Sequence, residues 1–174
     1  MKNSVRTLSS FIAPIVVCFV IPYLIVVLEH RLFVRPVFTP SISLKVIGLA
    51  IVLVGLILSM ITIRTFMLIG KGTIMPWDPT RKLIVVGFYR HVRNPMILSV
   101  IIILVGEAVL FASYGIALWA VLTFVFNTIY FIYSEEPGLV KRFGEEYLEY
   151  KKYVPRWIPR LRPWQPYGIK NQEP

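Results

Sequence analysis

Apolar residues run along this chain in long blocks, without the strict alternation of half-buried strands. Four blocks, roughly Leu8–Leu28, Val46–Ile69, Pro95–Ser113 and Tyr114–Ser134, carry few charges. About 20 apolar residues rising ~1.5 Å each cross a ~30 Å hydrocarbon layer, so each block predicts a transmembrane helix or comes close to one. The first follows Lys2 and Arg6 as a signal peptide would. It is too long for one, contains Pro14 and Pro22, and shows no small-x-small cleavage site before Glu29 and Arg31, so it is read as a retained span. Nothing longer than Ala112-Ser113-Tyr114-Gly115 separates the third and fourth blocks, which predicts a tight antiparallel helical hairpin.

Between the spans, Gly70–Gly87 contains Pro76, Pro79 and several glycines and reads as a loop. From Glu135 to Tyr153, the spacing of Phe143, Tyr147, Tyr150 and Val154 places an apolar stripe on one face of an amphipathic helix. Pro155, Pro159, Pro163 and Pro166 then forbid a helix and predict an extended strap. No internal repeat or independent soluble core is visible. The expected architecture is an all-α membrane protein, a single domain over 1–174 with two N-terminal spans in 1–69.

Composition sharpens this picture. The chain is 56% hydrophobic and 16% charged, against ~25% charged in soluble domains. Its net charge of +10 points less to nucleic acid than to lipid headgroups, because the cations sit just outside the apolar blocks. Lys71, Arg81, Lys82, Arg90 and Arg93 follow the second block and eight Lys/Arg follow the fourth, while none lies between Arg93 and Lys141. The positive-inside rule then places 70–94, the tail and the N-terminus in the cytosol and the hairpin tip outside. One cysteine, Cys18, and two histidines exclude a disulfide framework and make a metal site improbable.

Candidate chemistry gathers at the cytosolic ends of the last two spans. Asn94-Pro95 has the form of a helix start, and its free amides, with Arg90 and Arg93 beside them, suit an anion. The alternative is a set of snorkelling anchors. Glu135-Glu136 are adjacent carboxylates at a helix C-terminus or at the Pro137 break, and they call for a cationic or hydroxyl-rich partner such as Arg90, Arg93, a ribose or a sulfonium. A solvated acid pair is the plainer reading. Inside the hairpin, Glu107 and Asn127 are read as a structural hydrogen-bonded pair, since a charge there costs at least ~2.5–3.5 kcal/mol. Tyr147, Tyr150, Tyr153, Trp157 and Trp164 read mainly as an interfacial belt, some of whose members could line an adenine pocket.

The string Gly87-Phe88-Tyr89-Arg90-His91-Val92-Arg93-Asn94-Pro95-Met96, an apolar hairpin, Glu135-Glu136-Pro137, Phe143-Gly144-Glu145-Glu146-Tyr147, Tyr150 and Val154-Pro155-Arg156-Trp157-Ile158-Pro159 resembles the isoprenylcysteine carboxyl methyltransferase family. Related phospholipid methyltransferases share this C-terminal half. The resemblance covers about 70–164 and implies that this segment is the cofactor-binding core. It implies S-adenosylmethionine bound on the cytosolic side, covered by the tail, and a lipophilic acceptor, prenylated or phospholipid, entering from the bilayer. Gly87, Tyr89, Arg93, Asn94 and Pro95 would shape one wall of the cofactor site, Glu135 and Glu136 would be its acidic pair, and Tyr147, Tyr150 and Arg156 would close it. Two departures bear on the acceptor. Asn94 stands where many relatives have His before Pro, and Ile97 stands where Tyr is common.

Methyl transfer from a sulfonium is an in-line displacement governed by alignment. A carboxylate acceptor needs only an Arg to hold it, and Arg90, Arg93, Arg156, Arg160 and Arg162 are available, Arg156 being the candidate clamp. An amine acceptor needs a base, for which Glu135 or Glu136 would serve. The expectation is therefore a membrane methyltransferase, first on an isoprenylcysteine-type carboxylate and alternatively on a phospholipid amine. A reductase of membrane sterols using NADPH and a non-catalytic helical scaffold are the remaining alternatives.

Overall fold

A computed structural model describes residues 12–32, 40–70 and 82–165. Lys2, Arg6, Arg35, Lys71, Pro76, Pro79, Arg81 and Pro166, on which parts of the sequence reading rest, lie outside the described residues. All regular structure among the described residues is helical. Helix α1 is Ile12–Arg31, α2 Ile42–Gly70, α3 Pro95–Phe111, α4 Tyr114–Phe143 and α5 Glu145–Tyr153. Of these, α1, α2 and α4 are long and apolar enough to cross a membrane, and α3 is a shorter apolar helix. At ~1.5 Å per residue its 17 residues reach ~26 Å, the lower limit for a span. The chain is an integral membrane protein. It divides into two compact units, residues 1–59 with 99–127, and residues 60–98 with 128–174.

In the first unit, α2 and α3 touch backbone to backbone. A Cβ on Gly48 would lie 2.7 Å from Leu110 N, one on Gly106 2.7 Å from Val52 N, and one on Gly55 3.0 Å from Ile103 N. Lipid offers no hydrophobic drive for helix association, so close contact of small residues supplies it through dispersion. Around this crossing pack Cys18, Val52, Val100, Ile103, Leu104 and Ala120.

Helix α1 contains a π turn, Val16–Val20, in which Ile21 N–H donates to Val16 O. Pro22 has no N–H to give, so the Val17 carbonyl is left without a helical donor. Trp119 Nε1 donates to it at 3.1 Å. The hairpin turn is as tight as its four residues demand. Ala112, at φ +50°, ends α3 while Ser113 N donates to Ala108 O and Ala112 N to Val109 O, the pairing of a Schellman end. Ser113 Oγ then accepts from Ile116 N (3.0 Å) and donates to Glu29 Oε2 (2.7 Å), while Glu29 Oε1 accepts from Gly115 N (2.8 Å). A carboxylate thus meets the positive end of α4.

The expected Glu107–Asn127 pair does not form. Asn127 Nδ2 donates to Thr123 O one turn back at 2.8 Å, and Glu107 Oε2 is buried without a hydrogen-bond partner among the described residues. Depth explains the failure: at ~1.5 Å per residue, Glu107 lies ~8 Å from the hairpin turn and Asn127 ~21 Å.

In the second unit, α4 passes through another π turn, Phe131–Glu135, with Glu136 N–H donating to Phe131 O just before Pro137. Neither placement expected for the acid pair, a helix C-terminus or a break at Pro137, is observed: the helix runs through Pro137 to Phe143, because the wide turn accommodates the missing N–H. The single amphipathic helix expected over Glu135–Tyr153 is split at Gly144, whose φ of +54° suits glycine. Its stripe persists across the split: Tyr147, Tyr150 and Val154 pack with Leu83, Val85 and Trp164, and Phe143 lies against them.

These contacts predict opposite signs for two glycine substitutions. Gly106→Ala forces a Cβ into the α2 backbone and should destabilise by about 1–3 kcal/mol. Gly138→Ala, with only Arg142 Nη2 at 3.8 Å, should stabilise α4 by about 0.5–1 kcal/mol. Thermal unfolding in detergent reads both.

Candidate functional site

Glu136 is the first residue after the second π turn, and its side chain is 4% exposed. Its Oε1 accepts from Arg93 Nη1 and from Arg156 Nε, each at 2.7 Å, and its Oε2 pairs with Lys151 Nζ at 2.9 Å. One carboxylate therefore gathers three cations, which leaves a local surplus of two positive charges. The helix α4 supplies the acid, α5 supplies Lys151, the strap supplies Arg156, and the turn before α3 supplies Arg93.

Arg93 is fixed further by Nε to Val154 O (2.9 Å), Nη1 to Tyr147 Oη (3.3 Å) and its backbone N to Pro155 O (2.9 Å). Burial raises the Tyr147 hydroxyl above its ordinary range, with the hydrogen bond from Arg93 opposing and the nearby Glu136 charge adding. It is therefore a neutral phenol there. The hydrogen bond to Glu136 raises the Arg156 guanidinium, so its charge is secure. Tyr150 Oη donates to Tyr89 O at 2.6 Å, and both phenols are pushed up by burial.

The strap is laced to the segment before α3. Arg160 N donates to His91 O and Trp164 N to Arg90 O, each at 2.9 Å. Side chains repeat the pairing, Arg90 Nε to Trp164 O and His91 Nδ1 to Arg160 O, both at 2.7 Å.

Of the residues singled out in sequence, Arg93, Glu136, Tyr147 and Arg156 converge, and Tyr89 and Tyr150 meet beside them. Pro95 opens α3, with Leu98 N bonded to Asn94 O at 3.0 Å, as a proline in the first helical position should. Asn94 Nδ2 is buried with no hydrogen-bond partner among the described residues. Gly87 is exposed and begins a 3-10 turn at φ +53°.

Glu135 stands apart from its neighbour. It is half-buried, with Tyr130 and Arg142 acting on it, because successive helical side chains diverge by ~100°. Arg90, expected near the acids or an anion, is instead held by the strap carbonyl of Trp164. Lys151 was missed. Its signal was present: it lies four residues after Tyr147, on the same helical face, but the stripe was read only for apolar residues.

Glu136→Gln should cost less than the ~3–5 kcal/mol of a broken fully buried pair, because Lys151 stays 41% exposed, and we expect about 2–3 kcal/mol. Tyr150→Phe removes the donor to a buried carbonyl and should cost about 1–3 kcal/mol. Lys141→Gln, on the exposed face, should stay within ~0.5 kcal/mol. Thermal unfolding of the three purified variants checks the order.

No curated protein and no solved structure matches the chain. A family model described as phospholipid methyltransferase matches residues 44–146. That stretch starts within α2, earlier than the 70–164 resemblance seen in sequence. It includes Arg93-Asn94-Pro95, the hairpin and Glu135-Glu136, and it stops short of Tyr147, Tyr150 and Arg156. With more than half of its length matched, the chain belongs to the phospholipid methyltransferase family and is a membrane methyltransferase.

Proposed function

We propose that the protein transfers a methyl group from S-adenosylmethionine to a lipophilic acceptor delivered by the bilayer, with its active site on the cytosolic face. The observation that carries this reading is the Arg156 guanidinium. Its Nε is fastened to Glu136 at 2.7 Å, and its side chain stays 22% exposed. An oriented fork of N–H donors beside a surplus of positive charge binds a carboxylate on two oxygens.

The residues present suit the cofactor. Asn94 Nδ2 is a buried donor lacking a partner, next in sequence to Arg93, and the surplus of cations favours the carboxylate of an amino-acid moiety. Gly87, Tyr89, Arg93, Asn94, Pro95, Glu136, Tyr147 and Tyr150 would hold or frame it, with Glu135 at the edge. When bound, the cofactor supplies an electrophilic methyl on a sulfonium. The protein's part is to align the acceptor and exclude water.

For the acceptor we infer an isoprenylcysteine-type carboxylate held by Arg156. Such an acceptor is already anionic, and no proton has to move. The second reading, a phospholipid amine, is favoured by the family match and by Glu135, a carboxylate outside the Glu136 cluster that can take the ammonium proton. The family match leaves the reductase and scaffold alternatives without support.

Calorimetric titration with S-adenosylhomocysteine should show binding that Arg93→Ala weakens, and absence of binding to the native protein would reject the cofactor. Arg156→Lys should retain that binding and lose turnover by about 10²-fold or more, because lysine lacks the fork. Membranes incubated with methyl-labelled cofactor should release methanol in alkali if an ester formed. Alkali-stable label in phospholipid would establish the amine reading instead.

A further inference from the structure

The strap displays apolar side chains that its backbone does not allow it to bury. Between Val154 and Gln165, three backbone hydrogen bonds pin Pro155, Arg160 and Trp164 to residues 90–93. Arg160 is held again by Nη1 to Tyr153 O at 2.9 Å. Pinned at those points, the chain arches outward between them, and the arches carry Ile158, 80% exposed, and Leu161, 98% exposed. Val154 and Trp164, the inward residues, are 1% and 9% exposed. A single exposed leucine means little. Two apolar tips on adjacent arches of a tied-down segment make a surface that calls for a partner.

The charge of the same segment identifies the partner. From Tyr150 to Gln165 there are five cations and no acid; Lys151 and Arg156 are taken up by Glu136, which leaves Lys152, Arg160 and Arg162. Arg162 is exposed beside Leu161. Apolar tips flanked by arginine, a short distance after a helix long enough to span, match the headgroup layer of an anionic bilayer, where apolar groups enter the acyl boundary and guanidinium groups meet phosphate. We propose that the strap docks on the anionic membrane surface, with Ile158 and Leu161 inserted among the lipids and Arg162 paired with lipid phosphate. The inference is independent of the reaction catalysed.

Full-length protein in lipid nanodiscs tests it. Cys18→Ala removes the native thiol, and Leu161→Cys is labelled with an environment-sensitive fluorophore. Glu149→Cys, on an exposed face of α5, serves as the reference. The label at Leu161 should emit blue-shifted light and lose emission to lipids carrying a shallow nitroxide, while the label at Glu149 remains water-like. In neutral lipid, or with Arg162→Gln, both effects should diminish. Water-like emission at Leu161 overturns the proposal. A blue shift that lipid nitroxide does not quench also overturns it, by showing a protein contact. Equal quenching in neutral and anionic discs overturns the preference for an anionic surface, and quenching unchanged by Arg162→Gln overturns the pairing of Arg162 with phosphate.

Discussion

The second unit depends on the burial of one carboxylate. Removing Glu136 from water carries a desolvation cost of several kcal/mol, which only close, hydrogen-bonded cations offset. Three provide that compensation, and each comes from a different stretch of chain. Arg93 precedes α3, Lys151 lies on α5, and Arg156 lies on the strap. Segments far apart in sequence are thereby fixed around a common point. The extended strap shows this most clearly. It has no helix to satisfy its backbone, and it is held by main-chain bonds to residues 90–93 and by Arg156.

Two prolines prepare this arrangement and its counterpart in the first unit. Pro22 and Pro137 each stand two residues after a π turn. A widened turn accommodates the missing N–H without ending the helix, and it rotates the following residues relative to a continuous α-helix. In the first unit the released Val17 carbonyl receives Trp119 Nε1. In the second, the residue that follows the wide turn is Glu136 itself.

Much of this was legible in the sequence because it depends on local signals. Long apolar blocks gave the spans, Ala112-Ser113 the hairpin, Asn94-Pro95 the start of α3, and the spacing of Tyr147, Tyr150 and Val154 the buried face of α5. Long-range geometry was not legible. Glu107 and Asn127 are both polar residues in adjacent spans, yet their depths differ by more than two helical turns. Adjacent glutamates read as a pair, but the helix turns one into the cation cluster and leaves the other to Tyr130 and Arg142. Arg90 and Arg160 read as free cations in sequence, but Arg90 is held by the Trp164 carbonyl of the strap and Arg160 by the Tyr153 carbonyl at the end of α5, which reduces the set of arginines on which the carboxylate reading first rested. Close contacts at Gly48, Gly55 and Gly106 carry no sequence signal beyond glycine in an apolar run.

The electrostatics of the cluster bear on the choice of acceptor. With three cations against one carboxylate, the surroundings of Arg156 favour an incoming anion and oppose an ammonium. At an effective dielectric near 20, two unit charges ~6 Å apart interact by about 3 kcal/mol. An uncompensated surplus at that distance would hinder a protonated amine by several kcal/mol and assist a carboxylate by as much. An amine acceptor would therefore need either prior neutralisation of the surplus by an anionic group of the cofactor or an approach from the side of Glu135. The cofactor carboxylate proposed for the same cations would supply part of that neutralisation, so the electrostatic preference shrinks to the charge left over, and the carboxylate reading then rests chiefly on the Arg156 fork.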